Sequence, residues 1–317
     1  MRRCAAALTC NWTGRFVEAR GYAEEVLGLY DAAEHAPLVR LTNHDPQCVA
    51  LVWLVHVLWQ LGFPDQAVQA FERQLALSRR LGHTFNLCHG LMYGGAVFAY
   101  RREPGRQLAH LEEALAVATE HDIQFLLTIG SLWQAFAEYE LGRVEQALAL
   151  SRSGLASWGG LADRAFKPYR IALLARCLAR SGRPDEALAQ IEDALLRAER
   201  TDDKGQLAEL WRIKGEVLLA SERPDAAGAE ACFLEAIRVA DGQAAKGWEL
   251  RAATSIARLW QAQGKPGPVR DVLAPIYGWF TEGFETPDLT DARTLLDELT
   301  STPLGSRASR DRAEQEL

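Results

Sequence analysis

The sequence predicts an all-α protein, a right-handed α-solenoid of about seven helical hairpins with a C-terminal capping helix. A recurring phrase is the first reason. Glu140–Leu155, ELGRVEQALALSRSGL, reads as a helix end, a tight turn at Leu141-Gly142 and the start of a second helix. Glycine supplies that turn backbone at the least steric cost. Ala147, Ser151 and Gly154 then fall at steps of four and three, one helical face carrying only small side chains. Spacing is the second reason. Matching triplets are Ala19, Ala23 and Val26; Ala67, Phe71 and Gln74; Gln107, Leu111 and Ala114; Ala187, Ile191 and Ala194; Ala229, Phe233 and Ala236; Val269, Leu273 and Ile276. From Ala19 to Val269 the seven first members stand 48, 40, 40, 40, 42 and 40 residues apart. A period of about 40 marks stacked repeats. The third reason is that no alternating strand pattern runs for more than a few residues.

Residues 1–36 read as the first hairpin: a helix over 1–12, a turn at Thr13-Gly14, and a partner over 15–35. No polar cap precedes it, so the array is expected to begin upstream of residue 1. Residues 37–46 read as a linker rich in turn formers, which accounts for the one long step. Asp45-Pro46 is a helix start, and Gln47–Leu61 is apolar nearly all round, as a helix sandwiched by others must be. The solenoid then fills 47–299. Longer turns are expected at Leu81–Thr84, Glu120–Asp122, Trp158–Gly160, Thr201–Asp203 and Asp241–Gln243. Short ones fall at the repeat phrase, with Pro64, Pro104, Pro184, Pro224 and Pro266 presetting the next helix. Thr286-Pro287-Asp288 caps a last helix to about Leu299 that covers the open end of the stack, and 300–317 is polar and expected to be disordered.

The composition bounds the function. A chain of 317 residues that is 48% hydrophobic and 24% charged is ample for a core, and a net charge of −7 argues against nucleic acid as the main partner. The six cysteines form no CxxC pair and read as buried free thiols in a reducing cytoplasm. The apolar run Cys4–Leu8 is too short for an export signal, and Cys48–Trp59 is far short of the roughly 20 residues of a membrane span. A cytoplasmic location is therefore expected, and the glycosylation triplet Asn11-Trp12-Thr13 carries no meaning there.

The repeat resembles the tetratricopeptide superfamily, whose pattern is Trp-x2-Leu-Gly-x2-Tyr followed by Ala-x3-Phe. Trp211, Gly215 and Leu218 precede Ala229, Phe233 and Ala236, and Gly95 and Phe98 precede Gln107, Leu111 and Ala114. The period of about 40 exceeds the family's 34, and the family's proline at the repeat end is missing. AELWRIKGEVLL, KGWELRAATSIARLWQAQGK and VLAPIYGWFTEGFETPDLTDARTLLDEL resemble the C-terminal repeat region of large bacterial regulators that join a class III nucleotide cyclase and a P-loop ATPase to a helical tail. That resemblance implies a regulatory tail whose cyclase and ATPase modules are not in this chain.

Catalytic patterns are missing. Gly242–Trp248 lacks the Lys and hydroxyl of a phosphate loop, none of the seven His begins an HExxH, and no GxSxG occurs. Cys88 and His89 are neighbours in sequence and point to different sides of a helix. No catalytic residue, cofactor or metal is expected. What remains is a surface. If first helices line the concave face, it carries Met92, Phe136, Tyr139, Tyr169, Arg176, Arg212, Glu216, Arg251 and Arg258, with His89, Leu132 and Thr254 beside them. Aromatics anchor a peptide and Arg reads carboxylates bidentately. The competing reading makes the aromatics inter-repeat core and the arginines a solvated face. The expected function is a non-enzymatic protein-interaction scaffold with a protein or peptide in the groove, coupled to an ATPase or cyclase module. The alternative is a small-molecule effector sensor with a pocket near Phe136, Tyr139 and Tyr169.

Overall fold

Helices pair in sequence order throughout the computed structural model, which describes residues 1–35, 37, 39–156 and 166–301. The first hairpin is α1 (Arg2–Trp12) with α2 (Phe16–Leu29), followed by two short helices, α3 (Ala32–His35) and α4 (Val39–Thr42). Next come α5 (Pro46–Gln60) with α6 (Pro64–Leu81). The third first-helix is broken into α7 (Thr84–His89), a π-helical turn at Gly90–Gly94 and α8 (Ala96–Tyr100), and it pairs with α9 (Pro104–Glu120). Then follow α10 (Gln124–Glu140) with α11 (Val144–Ala156), α12 (Lys167–Arg180) with α13 (Pro184–Thr201), α14 (Leu207–Leu219) with α15 (Ala226–Gly242), and α16 (Lys246–Ala262) with α17 (Pro266–Trp279). The last helix is α18 (Pro287–Ser301). No strand occurs among the described residues. First helices touch the next first helix as well as their own partner: α10 meets α12, α12 meets α14, α14 meets α16 and α16 meets α18. The architecture is thus an all-α solenoid of seven hairpins and a terminal helix.

Every member of the seven repeat triplets is buried, from Ala19, Ala67, Ala147, Ala187, Ala229 and Val269 at zero exposure to Ile276 at 8%. These small and medium side chains are the ridge on which each second helix closes against its first. Five residues before each triplet sits the turn. Gly14, Gly62, Gly142, Gly182 and Gly264 all have left-handed backbone there, and Arg102 adopts it in the third copy with φ 57°. A non-glycine residue pays for that conformation, so Arg102 stands out. In the sixth copy the turn is longer. The helix begins at Ala226, past Pro224, and Asp225 caps it by accepting from the Gly228 amide at 2.8 Å, which accounts for the step of 42. Pro64, Pro104, Pro184 and Pro266 open their helices as expected.

Two stretches differ from expectation. The helix expected over 15–35 ends at Leu29, because Tyr30 turns extended and its hydroxyl donates to Asp45 at 2.7 Å. Asp45 in turn accepts from the Gln47 and Cys48 amides and caps α5. The stretch 37–46 read as linker contains α4 and so is partly helical; Leu38 lies outside the described residues, as do the turn expected at Trp158–Gly160 and residues 302–317 of the expected disordered tail. The apolar helix α5 is sandwiched, with all its residues except Gln47 buried. All six cysteines are buried and unpaired, and burial pushes the thiols of Cys48, Cys88 and Cys177 up to about 12, 11 and 11.

The array does not form an open trough. It completes a superhelical turn, so that the first hairpin touches the turn before α14 and the second touches the segment after α17. The Trp12 carbonyl accepts from the Lys204 and Gly205 amides at 2.8 and 2.7 Å. Glu282 accepts from the Asp65 and Gln66 amides at 2.8 and 3.0 Å, a carboxylate on the N-terminus of α6. Asp65 accepts from the Gly283 amide at 2.9 Å. Trp279 packs edge-on against Phe63 at 5.4 Å and covers Gly62, where a Cβ would lie 2.6 Å from its ring. The end of α17 and the segment before α18 therefore close a ring against the start of α6.

Candidate functional site

Closure divides the inner face into two regions. One is packed with aromatic rings. Trp59 on α5 stacks on Tyr100 at 4.9 Å and meets Trp248 on α16 edge-on at 4.6 Å. Tyr100 meets Trp133 at 6.2 Å, and Phe166 packs between Trp133 at 6.3 Å and His56 at 6.1 Å. His56 is held on both ring nitrogens. The Tyr93 carbonyl at 2.8 Å can only accept, so Nε2 carries the proton and Nδ1 accepts from the Tyr100 hydroxyl at 3.1 Å. Burial pushes the His56 imidazole down to about 4, and burial with His44 and His56 nearby takes His89 to about 3. Both rings are neutral at pH 7 and serve the packing.

The other region is a charged cleft of about 110 Å³. Phe136 and Glu140 from α10, Tyr169 and Arg176 from α12, and Glu209, Arg212 and Glu216 from α14 line it. Arg251, Thr254, Ser255 and Arg258 come from α16, Asp288 and Asp291 from α18, and Ala99 and Arg102 from α8 and the turn after it. Five arginines thus face five carboxylates. Arg212 grips Glu209 with two hydrogen bonds of 2.7 and 2.8 Å and donates to Glu216 at 2.5 Å and to the Ser255 hydroxyl at 3.3 Å. Arg251 donates to Asp288 at 2.8 Å and to the Tyr100 carbonyl, while its guanidinium lies over Trp59 at 4.9 Å. Arg102 reaches Glu140, Asp288 and Asp291 at 3.3, 3.4 and 3.1 Å, and Asp291 also accepts from Arg258 at 2.9 Å.

The pairing sets the charge states. Burial alone would raise the Glu209 carboxyl, but Arg212, with Arg251 and Arg176, outweighs it and holds the group below the usual carboxylate range. Glu140 is held low in the same way, by Arg176 and Arg102 against burial. Burial opposes the charge on Arg212, and Glu209 and Glu216 outweigh that too, raising it well above its ordinary value. Glu209, Glu140 and Arg212 are therefore all ionised at neutral pH. Glu140 and Glu209, held low in this way, are ion-pair partners at neutral pH and not proton donors. Among the described residues no group of three or more His, Cys, Asp or Glu stands where it could hold a metal ion.

The residues expected on the concave face divide between the two regions. Phe136, Tyr169, Arg176, Arg212, Glu216, Arg251, Thr254 and Arg258 converge on the cleft. Tyr139 is not in the lining; its ring meets the guanidiniums of Arg176 and Arg180 at 4.3 and 5.1 Å. Met92 does not line it. It sits in the π-helical turn at 1% exposure, because the extra residue in that turn rotates the helix face. Gly90 permits the turn's close approach, since a Cβ there would lie 1.9 Å from the Gln74 side chain. His89 and Leu132 are core residues as well. The arginines are not a solvated face, because Arg176, Arg212 and Arg251 are largely buried among carboxylates. Arg102, Glu140, Glu209, Asp288 and Asp291 are the charged lining residues that sequence reasoning missed, with Ala99 and Ser255 beside them. Arg102 alone left a signal there, as the arginine that replaces the turn glycine of five other copies.

No protein-family model matches the chain. An uncharacterized protein of Rhizobium meliloti (strain 1021) is 27% identical over 262 residues, which is 82% of this chain and 25% of that protein. The chain thus spans about a quarter of the length of the curated relative it matches. Among solved structures, the TPR domain of P58(IPK) aligns over 95% of this chain and 80% of its own, with 14% identity and a TM-score of 0.31. At that score the likeness adds nothing to the hairpin architecture described above. Among the described residues no helix is long and apolar enough to cross a membrane.

Proposed function

We propose that this chain is a non-enzymatic interaction module, a tetratricopeptide-like helical array that serves as the regulatory repeat region of a bacterial signalling ATPase or nucleotide cyclase. The observation that carries it is convergence: four successive first helices, the turn after α8 and the terminal helix contribute charged side chains to one cleft, and none of those groups forms a nucleophile–base pair. The resemblance of the C-terminal repeats to cyclase- and ATPase-linked tails supports the regulatory context. A protein partner in this reading meets the mouth of the cleft, where Glu216 and Arg258 are 41% and 55% exposed. Residues 47–299 act as one array, with 1–36 as its first hairpin.

The test is co-purification of this chain with the ATPase or cyclase region encoded beside it, using Glu216→Lys and Arg258→Glu. Both side chains are open to solvent, but Glu216 also accepts from the buried Arg212, so each variant is first checked for an unchanged circular dichroism spectrum and Tm. Arg212 and Arg251 are unsuitable for this purpose, being 8% and 10% exposed and paired. Loss of co-purification in either variant is expected. Undiminished binding in both removes the cleft mouth from the interface.

A second reading, effector sensing, is favoured by ring closure. The cleft next to Phe136 and Tyr169 is bounded on several sides, and its volume of about 110 Å³ is far below that of a helix about 10 Å across. It suits a small molecule better than a peptide.

A further inference from the structure

Arg176 differs from the other cleft arginines. Arg102, Arg212, Arg251 and Arg258 each donate to a carboxylate within 3.4 Å. Arg176 has its nearest carboxylates at 3.6 Å (Glu140) and 3.9 Å (Glu216), and its Nε is buried without an acceptor. A buried donor left unsatisfied costs about 1–3 kcal/mol, more when charged. The cation is retained because Tyr139 stacks beneath it at 4.3 Å. Its Nε is sealed beside Glu216, and the rest of the guanidinium, 17% exposed as a side chain, lines the cleft with no carboxylate nearer than 3.6 Å.

The rest of the wall says what would meet that guanidinium. A bare anion would meet the carboxylates of Glu140, Glu209 and Glu216 around Arg176. With five arginines against five carboxylates the lining is neutral in sum, which favours a ligand that is itself neutral in sum and charged at both ends. Glu216 is the carboxylate suited to the positive end, since only one of its oxygens is taken by a hydrogen bond, from Arg212, and the group is 41% exposed. Phe136 and Tyr169, stacked at 4.7 Å, give the cleft an apolar side. The volume of about 110 Å³ is below the several hundred Å³ of a drug-sized site.

We propose that the cleft binds a small zwitterion, an α-amino acid, with its carboxylate on Arg176 and its ammonium on Glu216. This rests on the effector-sensing reading and gives it a ligand class.

The test is thermal unfolding of the full chain at constant ionic strength. It uses the twenty α-amino acids singly at millimolar concentration, with succinate as an anion, putrescine as a cation, and glucose and ATP as unrelated effectors. A ligand of the native state raises Tm by mass action. The expected result is a rise with one or a few amino acids, none with succinate or putrescine, and at least a tenfold weaker response in Arg176→Gln. Arg183→Gln, an exposed substitution away from the cleft, should respond as the wild type does. No rise with any amino acid overturns the assignment, as does an equal rise with succinate or an undiminished rise in Arg176→Gln. A rise with glucose or ATP alone overturns the amino acid and leaves effector sensing standing. If Arg176→Gln unfolds, Glu216→Gln replaces it as the variant that must weaken the response.

Discussion

The aromatic and charged regions of the inner face occupy equivalent places on successive first helices, yet they solve burial differently. Around His56, Trp59, Tyr100 and Trp248 the ring is filled, and its polar atoms are few and neutral. Around Arg176, Arg212 and Arg251 it is lined with full charges that balance one another and leave a cleft. Shape complementarity holds the first region together. In the second, buried ions must keep their partners, since desolvation makes a lone one costly. The repeat geometry permits either, and side-chain choice at the inner positions decides which.

The comparison can be broken most forcibly in the filled region. Trp248→Ala, at 1% exposure, should lower unfolding free energy by about 3–5 kcal/mol in urea denaturation. A loss under about 1 kcal/mol would mean that the rings are not packed as described. In the charged region Arg212→Ala strands Glu209, which is 1% exposed, and should cost about 3 kcal/mol. Pairing it with Glu209→Leu should recover part of that loss, and a double variant as unstable as the sum of the two singles would show that the two residues do not interact.

A change of pH separates the regions without mutation. His56 and His89 have lowered native values, so their contribution is present above about pH 6.5 and is lost as pH falls toward 4 and 3. Asp203, in the turn before α14 that meets the Trp12 end, goes the other way: burial raises it to about 7. Its contribution is present below about pH 4 and is lost as pH rises toward 7. Asp203→Asn should flatten the decline on the alkaline side of that window, read as the difference from wild type in Tm between pH 5 and 8. An unchanged difference would place Asp203 in water. The smallest effect belongs to Arg258→Ala, whose exposed pair with Asp291 is worth about 0–1 kcal/mol and should fade in high salt.

Much of this was legible from local pattern. The seven triplets report the buried face of each second helix, because a small residue followed by mostly apolar ones at steps of four and three marks the face that packs on a neighbour, whatever lies beyond it. The apolar α5 announced its own burial. Closure of the ring was not legible. The contacts of Arg102 with Asp288 and Asp291 span 186 and 189 residues and depend on superhelical twist accumulated over repeats. Met92 was misplaced for a local reason, since one π-helical turn shifts every inner position after it, and three glycines in Gly90–Gly95 are weak notice of that.

Ring closure underlies both regions, and cross-linking tests it most directly. Gln66 on α6 and Glu282 beyond α17 are bonded side chain to side chain at 3.0 Å, although 216 residues separate them. With both changed to cysteine, a short bis-maleimide should join them within one folded molecule, while the six buried native thiols stay unmodified. Rapid intramolecular cross-linking of folded monomer is the predicted result. Cysteines that both react with maleimide, yet cross-link only between molecules or not at all, would mean that the array is open and that neither region of the inner face is enclosed.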